Sequence, residues 1–486
     1  MKASLMLASL IALLPFGCSG GFGTVRTASV LNVSVSTPVG TRDTRIPIPV
    51  TKAARFRINI EMQKKNGELD TDFNGFVRIS AKPGNVKSVS GPGAIGRNVE
   101  LKNGRAENVD VDLIAAFGNT FIWVDEIGYV ASAKENPACS DGVDNNGNGL
   151  IDFPADPGCA FANDDSEEGG TYASGSSDTI FFAEPRIADV RGVELGGGTP
   201  SFPNEQVRLD TGFREGASKP FAFNTVVTRI AADGFYVTDL DDPRGYSSIY
   251  MFNFNAPPQL RVCDRLTSLT GTSTVFYGFT QLSFPTWSAE FWNPEERPCL
   301  VPEPYAFTTG NLKDEVELQR RMASLVRLAK SDTATVRVSK HFGPNKIKNN
   351  TPEDDASSCD LNDDGLVDFY TEPEKGCSDA CDLDVECTEF SEFRKQGTFN
   401  LSLTDAGGSA KIQVDGSVSV SLKPLTLRGK EIKAFSGTLR YFSGGDQYTI
   451  EARCADDIIL DLSKSTVPSD KACVFARTAS DNNNVQ

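Results

Sequence analysis

Two stretches of this chain set oxygen-bearing side chains at the alternate spacing that a hard cation needs. In the first, Asp144, Asn146, Asn148 and Asp152 stand at positions 1, 3, 5 and 9, with Gly149 at position 6. In the second, Asp360, Asn362, Asp364 and Asp368 take the same places around Gly365. Ca2+ is held by roughly six to eight oxygens from a flexible loop; alternate residues turn inward, and a Gly permits the sharp bend. Leu150 and Leu366, at position 7, would add backbone carbonyls, while Ile151 and Val367 would anchor each loop by apolar contact. Position 12, where a helical calcium loop places a bidentate Glu, holds Ala155 and Thr371. The next residue is acidic in both copies, and Asp156 and Glu372 are expected to close the shell. The alternative is an Asn/Asp/Gly-rich surface turn without metal. Two copies, each bracketed by cysteines, favour Ca2+ as the cofactor.

Other chemistries find less to work with. His341 is the sole histidine, no Gly-x-Ser-x-Gly elbow accompanies it, and no phosphate-binding Gly pattern precedes a helix. Adjacent acids such as Asp241-Asp242, Glu295-Glu296 and Asp456-Asp457 could exchange protons, but in an acidic chain such pairs are usually solvated turns. Phe279, Phe284, Trp287, Phe291 and Trp292 form a local aromatic cluster that could stack on bases or sugars. The preferred reading is that this cluster plugs a barrel end beneath a disulfide. A basic run comprises Arg320, Arg321, Arg327, Lys330, Arg337, Lys340, Lys346 and Lys348; it would line a nucleic-acid groove or balance the acidic stretch that follows.

The elements that must position these residues read as β structure. Gly and Pro are plentiful, helical periodicity is scarce, and short Val/Ile/Phe/Thr runs alternate with turn signals. The length suggests three or four domains. A net charge of −17 and a pI near 4.7 disfavour a bulk electrostatic grip on nucleic acid or anionic lipid.

Lys2 followed by an apolar run, Leu5 to Leu14, reads as an export signal over residues 1–17. Leu14-Pro15-Phe16-Gly17-Cys18 resembles a bacterial lipobox, which implies acylation of Cys18 and a lipid anchor in the membrane; Pro15 and Phe16 depart from the usual pattern. Ser19 after the cysteine resembles lipoproteins sent to an outer membrane or cell surface, with secretion as the alternative. Eleven cysteines less Cys18 leave ten, an even number suited to an oxidising compartment. Nearest-neighbour pairing gives Cys139–Cys159, Cys263–Cys299, Cys359–Cys377, Cys381–Cys387 and Cys454–Cys473; spacing alone leaves other pairings open. Zinc at Cys377, Cys381 and Cys387 lacks paired knuckles and a nearby His.

A tether at 18–29 leads into strands over 30–132, where Asn103-Gly104 marks a two-residue hairpin. That pattern is similar to bacterial immunoglobulin-like surface domains, which implies a β-sandwich. The first calcium loop and an acidic linker occupy 133–178. In 179–308, Gly234-Phe235-Tyr236-Val237-Thr238-Asp239, the strand from Arg265 to Gly271, and Thr280-Gln281-Leu282 resemble the OB-fold modules attached to secreted bacterial nucleases. The resemblance implies a five-stranded Greek-key barrel. Residues 309–478 repeat it: Ile432 to Thr438 matches Leu266 to Thr272 in the spacing of apolar residue and Gly, with the second calcium loop inserted at 351–388. A polar tail covers 479–486.

The fold expected is therefore all-β and multi-domain: an Ig-like sandwich plus two OB-like barrels, with two disulfide-bracketed calcium-loop inserts. The function expected is a non-enzymatic, lipid-anchored, calcium-stabilised scaffold or binding protein of the envelope, with a protein or glycan as its unknown ligand. A nucleic-acid-binding accessory protein is the alternative. A metal-dependent hydrolase ranks last, because a loop that saturates Ca2+ leaves no open position for water.

Overall fold

The computed structural model of the protein describes residues 30–127, 134–156, 158–159, 162–167, 173–213, 225–339, 397–419, 422, 427, 429–442 and 447–476. The expected export signal with Cys18, the second loop with its expected ligands and four cysteines, His341 and the tail lie outside the described residues. Of the described residues, 44% are strand and 7% helix, as an all-β, multi-domain protein should be. No helix among the described residues is long and apolar enough to cross a membrane.

Two compact units divide the chain. The first holds residues 1–42, 53–114 and 119–180. Its strands are β1 (Val30–Val35), β2 (Ala54–Gln63), β3 (Gly75–Lys82), β4 (Asn85–Ser90), β5 (Ala94–Ile95), β6 (Asn98–Leu101), β7 (Arg105–Ile114), β8 (Asn119–Glu126) and β9 (Ser174–Ser176). One sheet runs β1-β2-β7-β4; the other runs β8-β3-β6-β5, with β9 paired to β8. Alternation does the folding here. Phe56, Ile58, Ile60 and Met62 of β2 are buried while their neighbours face solvent, and Val77, Ile79 and Ala81 do the same on β3. The result is a β-sandwich. The Asn103-Gly104 turn has φ of 50° and 77°, the left-handed pair that a two-residue hairpin demands, and Lys102 pairs with Arg105 across it.

Residues 43–52, 115–118 and 181–486 make the second unit. After β10 (Ile180–Phe181), the short helix α1 (Ile187–Val190) and β11 (Gln206–Arg208) come the first barrel's strands: β12 (Thr225–Ala231), β13 (Gly234–Asp239), β14 (Ser248–Phe252), β15 (Arg265–Phe276) and β16 (Phe279–Glu290). They pair β12-β13-β14-β16-β15 and β15 returns to β12, with only the β14–β16 pair parallel. The second barrel follows a short strand β17 (Tyr305–Ala306) and helices α2 (Thr309–Lys313) and α3 (Glu315–Arg321). It comprises β18 (Leu325–Ala329), β19 (Thr335–Val338), β20 (Thr398–Asp405), β21 (Gly408–Asp415), β22 (Glu431–Ile432), β23 (Ala434–Phe442), β24 (Gln447–Glu451) and β25 (Ile458–Ile459).

With β18 and β19 counted as one bent strand, and β22 and β23 as another, the second barrel closes in the same order, again with one parallel pair, β21–β24. Each barrel has its own apolar core, around Val237, Leu266 and Leu282 in the first and Leu401, Val414 and Leu439 in the second. Gly271 and Gly437, aligned by the repeat, lie on the fourth strand of their barrels. A Cβ at Gly271 would come within 2.9 Å of Leu282, and one at Gly437 would strike the Glu451 carbonyl.

The barrels share a third, aromatic cluster: Tyr236, Tyr250 and Phe279 of one, Met322 and Ala323 of the other, with Tyr441 and Tyr448 packed against it. Buried Arg191 fastens the same junction, donating to the carbonyls of Ser248 (3.2 Å), Met322 (2.8 Å) and Gln319. With no carboxylate to offset burial, its pKa falls to about 10.

Candidate metal centre

The first loop is held by local hydrogen bonds that its sequence dictates. Asp144 accepts from the backbone N–H groups of Gly147 (2.7 Å), Asn148 (3.1 Å) and Gly149 (2.8 Å). Gly147 and Gly149 sit at φ of 72° and 89°, so the chain turns twice around that carboxylate where a Cβ would strain it. Asn146 Oδ1 accepts from Asn148 N, Asn148 Oδ1 from Leu150 N, and Asp152 Oδ2 from Gly142 N (2.8 Å). All four predicted side-chain ligands thus turn to the loop interior. The disulfide Cys139–Cys159 closes its base, with Cα atoms 5.7 Å apart.

Asp156 is 1% exposed and reaches back to the loop. It accepts from the amides of Asn146 (2.9 Å) and Asn148 (3.2 Å) and from Gly158 N (2.7 Å). Its neighbour across the site is Glu167, 2% exposed, which accepts from the N–H groups of Asn145 (2.6 Å) and Asp152 (3.1 Å). Carboxylate oxygens of the two lie within 4.8 Å of each other. The Cys159 sulfur shares that cluster, but its disulfide removes it as a ligand.

Two charges at that distance repel by on the order of 3 kcal/mol. The bonds that satisfy both acids come from amides, not from cations. Asp152 Oδ1 is buried without a hydrogen-bond partner. A buried carboxylate oxygen left unbonded is costly, and a divalent cation would relieve the repulsion of Asp156 and Glu167. Asp144 and Asp152 stand outside the group whose ligand atoms lie within 4.8 Å of one another, so to share that ion they would have to close in on it. The donor set, hard and all oxygen, fits Ca2+.

Glu167 was not legible from the loop pattern. It lies beyond the disulfide, 15 residues from Asp152. One expectation fails outright. Ile151, expected to anchor the loop by apolar contact, is 52% exposed, and Leu150 is 42% exposed. The loop is anchored by the disulfide and by the buried acids instead.

Three of the five expected disulfides are formed: Cys139–Cys159, Cys263–Cys299 and Cys454–Cys473; the other four cysteines lie outside the described residues. The aromatic cluster, expected as a plug beneath the disulfide, is so only in part: Trp287 and Trp292 pack in the first barrel's core with Cys263 and Cys299, and the three phenylalanines go elsewhere. Phe279 packs into the junction, Trp287 stacks on Phe235 at 5.0 Å, and Trp292 faces Phe475 at 6.2 Å. Phe284 and Phe291 stay exposed, at 63% and 51%. They part because strand neighbours face opposite ways and a bulge interrupts β16.

The basic run, where described, is paired. Glu317 takes Arg320 (3.1 Å) and Arg321 (2.8 Å), Glu303 faces Arg327 (3.7 Å), and Glu431 takes both Lys330 and Arg337. One acid in each of two of the adjacent pairs is engaged: Arg244 and Arg186 hold Asp242, and Arg453 holds buried Asp457 at 2.9 Å, while Asp241, Glu295, Glu296 and Asp456 are exposed.

Comparison with known proteins finds no match. No protein-family model, curated protein or solved structure resembles the chain.

Proposed function

We propose that the protein is a non-enzymatic, lipid-anchored scaffold or binding protein of the bacterial envelope, stiffened by Ca2+. The observation that carries the Ca2+ in this reading is the orphaned Asp152 oxygen near two buried acids that no side-chain cation offsets among the described residues. Asp144, Asn146, Asn148, Asp152, Asp156 and the Leu150 carbonyl would hold the ion, with Glu167 added to the expected set. Bound Ca2+ would supply positive charge and nothing redox or hydrolytic. The side chains do the rest: rotation of the Asn146 and Asn148 amides would exchange their N–H donors for oxygens, and the disulfide keeps the two ends of the loop together. The second loop, Asp360 to Glu372, would repeat the arrangement.

A scaffold role is supported by Asp242 and Asp457, which are committed to arginines rather than open to a substrate. The export signal and Cys18 motif support anchoring at an outer membrane or cell surface. Nucleic-acid binding through the barrels is the weaker alternative, since the described part of the basic run is paired with Glu303, Glu317 and Glu431.

Thermal melting of the intact protein in Ca2+ and in chelator tests the reading. At a free Ca2+ concentration a hundred times the dissociation constant, the gain should be about 2.7 kcal/mol. Identical melting in both buffers would remove the metal from the proposal.

A further inference from the structure

One face of the first barrel carries a feature its core does not require. Phe254 and Phe284 are 65% and 63% exposed, and their rings lie 5.7 Å apart. Phe254 also meets Phe252 edge-on at 4.6 Å, and Phe252 packs on the buried aromatic cluster at the barrel junction. The two exposed rings are therefore the outward end of a continuous aromatic line. Both residues have left-handed backbones, with φ of 58° and 54°. For a bulky side chain that conformation is a genuine outlier and costs on the order of 1 kcal/mol or more.

The cause at Phe284 is visible. The β15–β16 register slips between Thr270–Thr286 and Thr272–Ser283, so Phe284 stands in a bulge that turns its ring outward. Nothing in the fold gains from this, because a ring two-thirds exposed buries little apolar surface. Strain that aims aromatic rings into solvent points to a ligand.

The chemistry of the surroundings narrows the ligand. Residues 245–260 and 266–289, which supply the rings and the strands that carry them, contain no Asp, Glu, Lys or Arg, in a chain of net charge −17; the flanking strand β11 adds exposed Arg208 opposite Thr270. They are rich instead in Ser, Thr, Asn and Gln. Asp233, whose carbonyl accepts from Asn253 (2.8 Å), has its carboxylate taken by the Tyr250 hydroxyl. Single-stranded nucleic acid would need a row of cations along its phosphates, and β11, which flanks β15 here, offers a single one, Arg208. A second copy of the chain would need roughly 800 Å² of buried surface per partner, while each ring supplies at most about 200 Å². A sugar ring fits both features: its C–H face stacks on a phenyl ring and its hydroxyls pair with uncharged polar side chains.

We propose that Phe252, Phe254 and Phe284 form a binding platform for the sugar rings of a neutral polysaccharide. This deepens the reading of the protein as a non-enzymatic binding scaffold and names the class of its ligand. It does not depend on the calcium loop, which belongs to the other unit.

Affinity electrophoresis of the whole protein in native gels containing amylose, dextran or hydroxyethyl cellulose tests it, with alginate and a thymidine oligonucleotide as anionic controls. Retardation in at least one neutral gel is expected, and F254A/F284A should weaken it roughly tenfold. F254Y/F284Y, which keeps the rings, should retain it, and both variants should melt close to the parent. No retardation in any neutral gel overturns the proposal, as does retardation that survives F254A/F284A or appears only with alginate or the oligonucleotide. A dimer seen by light scattering and lost in F254A/F284A would assign the face to self-association instead. The melting comparison in Ca2+ and chelator reads the scaffold's metal separately, so either idea can fail alone.

Discussion

The candidate metal loop and the junction between the barrels both bury carboxylates, and they treat them in opposite ways. At the junction the protein brings its own cations. Glu451 of β24 bridges Arg229 of the first barrel at 2.7 Å and Arg440 of the second at 3.0 Å. Arg440 in turn lies 5.7 Å above the rings of Tyr250 and Phe279. Burial pushes the Glu451 carboxyl up, yet the two arginines outweigh it and hold its pKa below the usual range. In the loop, Asp156 and Glu167 are at least as well buried and meet only amides. A carboxylate with an arginine is complete within the chain. A pair of carboxylates without one would, under the proposed Ca2+ reading, be half of a site whose other half comes from solution.

Removing the internal counter-charge should cost most. E451Q leaves Arg229 and Arg440 facing each other across the junction, and a loss of about 2–3 kcal/mol is expected at pH 7, allowing for the partial exposure of Arg440. Because the folded pKa of Glu451 is depressed, that contribution is full above its ordinary value of 4.5 and fades as pH falls below it. Chemical denaturation of parent and variant at pH 7 checks it. Equal midpoints would mean that the arginines, not the acid between them, hold the junction.

The loop should answer differently once its ion is withdrawn. In chelator, E167Q removes the repulsion with Asp156 but also one of the acceptors of the Asn145 and Asp152 N–H groups, so the two effects should largely offset and the melting change should be smaller than in Ca2+. In saturating Ca2+ it loses a ligand and should forfeit about 2 kcal/mol of the stabilisation by metal. A variant that loses the same stability in both buffers would make Glu167 a purely structural acid, like those at the junction.

The smallest effect sharpens the comparison within the second unit. Asp415 lies beside Glu451 across the parallel β21–β24 pair and has no cation of its own in hydrogen-bond contact; it accepts from Ser417 N at 2.8 Å. Burial, then repulsion from Glu451, raise its pKa from 3.8 to about 6. The folded state therefore holds a proton that the unfolded chain has released. Stability from this group is full below about pH 4 and declines as pH rises to about 6. D415N should flatten that decline and gain on the order of 1 kcal/mol at pH 7, read from melting curves across pH 4 to 7. An unchanged pH profile would show that Asp415 ionises freely.

Much of the architecture was legible in the chain. The sandwich could be read from period-two alternation such as Phe56 to Met62, and its hairpin from Asn103-Gly104, because both are local rules of backbone geometry. The loop ligands Asp144 to Asp152 could be read for the same reason, since their spacing along nine residues is their geometry. The repeat glycines Gly271 and Gly437 could be aligned, although the crowding that demands them shows only once the strands are closed into barrels.

What lies far apart in sequence was decided by the tertiary structure. Glu167 enters the loop only because the chain doubles back past the disulfide, and Arg229 meets Glu451 across 222 residues. The aromatics from Phe279 to Trp292, neighbours in sequence, are sent to separate places by the two faces of a strand and one bulge. The basic run looked like a surface for phosphates until folding brought Glu303, Glu317 and Glu431 against it. Spacing along a strand or loop is set by bond geometry, and a sequence carries it openly. Which charge meets which is set by how the barrels close and dock, where burial makes each unpaired group costly enough to choose its partner.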